Sequence, residues 1–336
     1  MNNNQRRRMC LALAGVLAQT SAPVFSLTNK RIRIFVITFR GKTEVERGFR
    51  DYLTQHEYPV DYIERDLGRD SSRFPALITE IRALQPDLIL TWGTTVTEGI
   101  VGKYNAVNPQ LHITHIPVVF TLVAAPVSAE LVPNLISSGR NVTGVFHVAS
   151  TETQLRAMAA YRRFRSIGIL YTPTENNSLA ILGELKALGK SQGFAVIDRP
   201  FQLDASRRPT INGVSGMLKE MKEAGTDWLY LPPDSFLGTQ CKDVIIPSAH
   251  KLGLPTFAST EQIMDAGALA GLISRYYSIG QFTAYKASQI LFNKQAPRNV
   301  PIETLTQYSF LIRMAVAKQL QLVPPLAMFD SAEFVQ

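Results

Sequence analysis

From residue 32 onward, short apolar runs alternate with longer amphipathic segments. The run 32–38 (IRIFVIT) is β-branched and aromatic, as a strand covered on both faces should be. Residues 43–55 read as a helix, and strands are predicted at 60–63 and 88–92. Between those strands Ser72 caps a helix in which Phe74, Leu77, Ile78, Ile81 and Leu84 share one face. A helix over 96–104 follows. The run 117–120 predicts a fourth buried strand that passes into a loop with Pro126. Ser128 is then placed to cap a helix carrying Leu131 and Leu135, and a fifth strand is expected at 141–145 after the turn at Gly139.

The pattern then restarts. A helix over 152–164 leads to a strand at 166–171, and the polar loop 172–178 closes on a helix with Leu182, Leu185 and Leu188. Strands at 194–197, 227–231 and 255–258 alternate with helices over 212–224 and 241–252. The end departs from this rhythm: a strand at 269–274, a strong helix at 278–293, a linker at 298–301 and a final helix over 310–320. A strand–helix series run twice predicts an α/β protein with two parallel-sheet units. Its length of 336 residues agrees with two domains. The extra elements imply that the chain crosses between the units more than once.

Polar loops recur at the carboxyl ends of the predicted strands, which is where parallel sheets bind ligands. Gly93, Thr94 and Thr95 are the most suggestive. Glycine admits close approach of a backbone, helix-start amides favour an anion, and two hydroxyls stand beside them. An ordinary helix start fits the same residues, since threonine is a common cap.

Composition adds the leader. Arg6, Arg7 and Arg8 precede an apolar run over 9–18, the length of a signal h-region and too short for a bilayer span. Cleavage after Ser26 leaves small side chains at −1 and −3, so 1–26 reads as a signal peptide and the mature chain as periplasmic. A basic tail is the alternative. Removing the leader takes three arginines from a net charge of +8, and no basic stripe interleaved with aromatics remains; nucleic acid is not an expected partner. Cys241 is the one cysteine outside the leader and reads as a small buried hydrophobe. No dinucleotide fingerprint, Walker A run, nucleophile elbow or zinc-protease motif is present, and His112 and His115 have no carboxylate or cysteine near them. Neither a cofactor, a metal nor catalysis is expected.

Several phrases in order carry a resemblance: PVVFT at 117–121, GRNVTG at 139–144, LYTPTENNS at 170–178, LPPDS at 231–235, PTFAST at 255–260, GALAG at 267–271 and SRYYSIGQ at 274–281. With these the chain resembles the substrate-binding proteins of bacterial ABC importers, in the family whose better-known members take aromatic amino acids. The resemblance implies a type I periplasmic-binding-protein fold, with two Rossmann-like lobes joined by a three-strand hinge. Lobe 1 would hold 27–146 plus 272–300, and lobe 2 would hold 147–271 plus 301–336. A small ligand would be clamped between them and delivered to a membrane permease driven by an ATPase. A two-lobe sensor reporting to a membrane receptor would share the fold and differ only in its partner.

The resemblance also implies the ligand positions. Gly93, Thr94 and Thr95 would receive a carboxylate, with Thr38, Phe39 and Thr121 from the same lobe. Asn177, Ser178, Asp234, Ser259 and Thr260 would come from the other, and Tyr276 from near the hinge. Asp234 could meet an amine and Phe39 could stack on an apolar body. Two departures stand out. Ala124–Ala125–Pro126 occupies the place of a Thr-Asp-Pro run common in relatives, and Thr260 that of a common aspartate. Of the acids that could face an ammonium group, Glu261 and Asp234 are the substitutes.

Overall fold

The computed structural model describes residues 31–336, and the expected signal peptide lies outside the described residues. The first half runs β1 (Ile32–Thr38), α1 (Glu44–Gln55), β2 (Val60–Asp66), α2 (Phe74–Leu84), β3 (Leu88–Trp92), α3 (Gly93–Val101), β4 (Val118–Val123) and β5 (Val142–Phe146). These strands make one parallel sheet in the order β2-β1-β3-β4-β5. Its central members β3 and β4 are buried at every position, which is why their sequences are apolar without alternation.

The chain then continues as α4 (Thr151–Tyr161), β6 (Ser166–Tyr171), α5 (Asn176–Gln192), β7 (Ala195–Pro200), α6 (Val214–Glu223), β8 (Trp228–Leu231) and α7 (Ser235–Gln240). It goes on through α8 (Ile246–Lys251), β9 (Thr256–Ala258), α9 (Glu261–Asp265) and β10 (Ala270–Ile273). Last come α10 (Tyr276–Leu291), β11 (Ser309–Arg313), α11 (Met314–Gln319) and β12 (Glu333–Val335). The second sheet has seven strands in the order β12-β11-β10-β9-β8-β6-β7, all parallel except the β10–β11 pair.

Three connections link the sheets: one from β5 to α4, one from β10 to α10, and one from the bridge at Glu303, beside Val145, to β11. The helix α10 therefore returns to the first sheet and packs on α1, β4 and β5. Two glycines set the α1–α10 distance. A Cβ on Gly48 would stand 2.0 Å from the Tyr277 carbonyl oxygen, and one on Gly280 would stand 2.1 Å from that of Val45. Lys286 of α10 is buried and reaches Glu303 and the Pro301 carbonyl, each at 2.6 Å, which ties the helix to the third connection.

Three sequence expectations change. No helix forms behind Ser128: residues 124–141 turn repeatedly, with Glu130 in the left-handed region. Pro133 would break a helix there, and the loop instead buries Ala129, Leu131 and Val132 in the first core. The expected helix over 310–320 is half strand, because Phe310–Leu311–Ile312 is a short apolar run whose partner, β10, decides its state. The helix expected at 241–252 begins earlier, at Ser235, and a π-turn over Cys241–Ile245 stands just ahead of Pro247. That wider turn accommodates a residue without an N–H to give.

Candidate functional site

The carboxyl ends of both sheets face one cleft, the usual place for a ligand in parallel α/β sheets. One wall starts at β3. Trp92 ends the strand and stands as the N-cap residue of α3, and Gly93 takes a φ of 79°, a conformation that favours glycine. No side chain caps the first amides of α3, so their N–H groups and the positive end of the helix dipole stay available beside Thr94 and Thr95. The Trp92 indole N–H is buried and has no hydrogen-bond partner. On β4 the register breaks between Phe120 and Val123, and Leu122 sits at φ 52° among the residues lining the cleft. A leucine held in the left-handed region is strained, and such strain gathers at functional sites.

Arg40, in the loop after β1, crosses the cleft. Its guanidinium lies 4.9 Å from the Trp92 ring centroid, and it donates to the Ser235 carbonyl at 3.3 Å and to Oε1 of Gln262. It makes no ion pair among the described residues, and burial holds its pKa below the usual guanidinium value. His147 also faces the cleft. Burial keeps it neutral, with a pKa lowered to about 4, while Nδ1 contacts the Val123 carbonyl at 3.4 Å.

The opposite wall comes from the second sheet. Asp234 caps α7 and is saturated. Its Oδ1 accepts from the Thr172 hydroxyl at 2.9 Å and the Leu237 amide at 2.8 Å. Its Oδ2 accepts from the Thr172 amide and the Ser178 hydroxyl, both at 2.7 Å. A carboxylate offers about four lone-pair sites, and all are taken. Asn177 donates to the Pro233 carbonyl at 2.7 Å. Thr260 caps α9 and bonds the Tyr276 hydroxyl, whose pKa burial raises to about 12. Glu175 accepts from the Ser235 amide at 3.0 Å, and burial with the nearby Asp234 charge pushes its carboxyl up to about 7.

Of the residues named from the sequence, Gly93, Thr94, Thr95, Asn177, Asp234, Thr260 and Tyr276 line this cleft. Five do not. Thr38 donates to Asp66 at 3.2 Å, and Phe39 lies in the first core, leaving the next residue, Arg40, to face the cleft. Thr121 is fully buried against Thr283. Ser178 holds Asp234, and Ser259 donates to the Leu231 carbonyl at 2.8 Å. Glu261 lies outside the lining, bonded to the Tyr276 amide at 2.6 Å and facing Arg275. Arg40, Trp92, Leu122, His147 and Gln262 were not read from the sequence. Only their nearness to strand ends could have marked them.

Residues 36–335 match the family described as ABC transporter substrate binding protein. The chain belongs to this family. It is 25% identical over 208 residues to a tyrosine-binding protein of Clostridioides difficile strain R20291; that stretch is 62% of this chain and 57% of the relative's length. A conserved domain protein from Vibrio cholerae superposes with a TM-score of 0.78 at 22% identity, covering 91% of this chain and all of that one. A Streptococcus protein crystallised with L-Trp gives 0.74 at 22% identity, over 90% and 100% of the two chains. A ligand-free, open substrate-binding protein with adhesive properties from Clostridium difficile gives 0.67 at 22%, over 91% and 99%. This substrate-binding protein is thus a binder and not an enzyme, and its type I architecture matches those neighbours. Among its described residues no helix is long and apolar enough to cross a membrane, and no cluster of three metal-ligating side chains occurs. Cys241 is buried and its thiol pKa is driven well up by desolvation, so it does not act as a nucleophile.

Proposed function

We propose that this chain is the extracytoplasmic solute receptor of an ABC importer. It clamps a small organic carboxylate with an apolar or aromatic body between its halves and presents it to the membrane permease, which the ATPase subunit drives. One half holds the first sheet with α10 and the segment through Glu303, and the other holds the second sheet, both exported behind the leader. The observation that carries this reading is the cleft itself. Arg40, Trp92 and the uncapped start of α3 come from one side, and the loops of Asn177, Ser235, Thr260 and Gln262 come from the other. The ligands named for the relatives, tyrosine and L-Trp, support an occupant of amino-acid size.

Gly93, Thr94 and Thr95 would hold the carboxylate through amides and hydroxyls, and Tyr276 and Leu122 would flank the body. Native mass spectrometry before and after unfolding tests the reading, together with melting against a panel of small acids and amino acids. A ligand at a hundred times its dissociation constant adds about 2.7 kcal/mol. A chain that carries no small molecule and whose melt no panel member shifts refutes it.

A further inference from the structure

The charges lining the cleft are unequal in availability. Arg40 and Asp234 are its two formally charged side chains among the described residues. Asp234 has spent all four acceptor positions on Thr172, Ser178 and Leu237, within its own half. Arg40 has no carboxylate partner among the described residues and gives hydrogen bonds only to the neutral Ser235 carbonyl and Gln262 amide. Beside it stand the first amides of α3, with no side-chain cap, and the indole N–H of Trp92, a residue only 6% exposed whose donor has no partner. One end of the cleft is thus a set of unspent donors around a cation; the two acids that act on Arg40 through space, Asp234 and Glu175, are bonded within the other half and form no ion pair with it among the described residues. Leu122, Ala124, Ile263 and the Tyr276 ring form apolar surface.

We propose that the ligand is an organic carboxylate with an apolar or aromatic body and no ammonium group. This rests on the clamp reading above and narrows it. The carboxylate seats against Arg40, Trp92 Nε1 and the α3 amides, and it supplies the counter-charge that Arg40 lacks. An α-amino acid would offer the same carboxylate but would also bring a second cation, its ammonium group, into the buried space beside Arg40. The acids near it are already engaged, Asp234 with four donors and Glu175 with the Ser235 amide, and the acceptors beside them are neutral, among them the Thr260 hydroxyl, which accepts from the Ile263 amide, and the His147 ring. Burial of an ammonium group without a free carboxylate is strongly unfavourable.

The test is calorimetric titration of the full chain with two matched triplets. The first is 3-(4-hydroxyphenyl)propionate, L-tyrosine and tyramine; the second is indole-3-propionate, L-tryptophan and tryptamine. In at least one triplet the ammonium-free acid binds tenfold or more tightly than its amino acid, and the amine does not bind. Arg40→Met weakens the acid at least tenfold while the ligand-free melt stays level or rises, since a buried cation without a counter-ion has been removed. Trp92→Phe, which keeps a ring and drops the N–H, gives a second loss should the first variant fold poorly. An amino acid that outbinds its acid overturns this proposal and leaves the clamp intact. No binding by any member, from a chain that also carries no small molecule, overturns both.

Discussion

Replacing Asp234 by alanine separates a scaffold carboxylate from one that meets the ligand. The side chain is 4% exposed, and its four donors include the buried Thr172 and Ser178. Removing it strips the cap of α7, a change typically worth about 1 kcal/mol. It also leaves the Thr172 amide, the Ser178 hydroxyl and the Leu237 amide short of an acceptor, at about 1–3 kcal/mol for each that water does not reach. Because the cleft admits water to part of this set, the expected loss is about 3–5 kcal/mol. At roughly 2 °C per kcal/mol for a chain of this size, the melt falls by about 6–10 °C. Circular dichroism melts and urea titrations of the ligand-free variant read this directly. Asp234→Asn, which keeps one acceptor oxygen but turns an NH2 toward two donors, falls between alanine and the parent. If Asp234→Ala melts within about 2 °C of the parent while ligand affinity drops a hundredfold, Asp234 is a ligand contact and the saturation argument is wrong.

Gly280→Ala places a methyl against the Val45 backbone and costs about 3 kcal/mol or more by thermal melt, whereas Gly183→Ala in α5, where nothing lies within 4 Å, gains about 0.5–1 kcal/mol; equal effects would refute the close helix crossing. His147 and His250 are both held down to about 4 by burial, so the unfolded chain binds their protons first, and stability is lost as pH falls from 6.5 toward 4. His147 alone contributes on the order of 3 kcal/mol to that fall. Glu175, raised to about 7, has the opposite sign and costs stability as pH rises from about 4.5 toward 7. The urea midpoint therefore falls less between pH 6.5 and 4.5 in His147→Gln than in the parent, and equal pH slopes for the two would contradict the burial of His147.

The alternation of buried strands with amphipathic helices is written in the chain. Strands 32–38, 88–92 and 166–171 occur at the expected residues because each is a β-branched or aromatic run bounded by polar positions. The two-sheet architecture follows from the same local signals, whereas α3 starts at Gly93 and ends at Val101 instead of spanning 96–104, so Gly93, Thr94 and Thr95 are its first turn. Local signals fail where a distant partner sets the state. The segment 309–313 is a strand because β10 lies beside it, and 128–135 is a loop because Ala129, Leu131 and Val132 reach the core without helical spacing while Leu135 stays exposed. The site divides in the same way. Which of two neighbours faces the cleft, Phe39 or Arg40, is a matter of how the loop leaves β1, and Leu122 enters the cleft through a break in register. Asp234 was visible as an acid at a strand end, yet its state depends on Thr172 and Ser178, more than fifty residues away. Local periodicity carries the fold because each element must bury its own apolar face. Only contacts across long sequence separations settle which polar groups are already satisfied and which remain for a ligand.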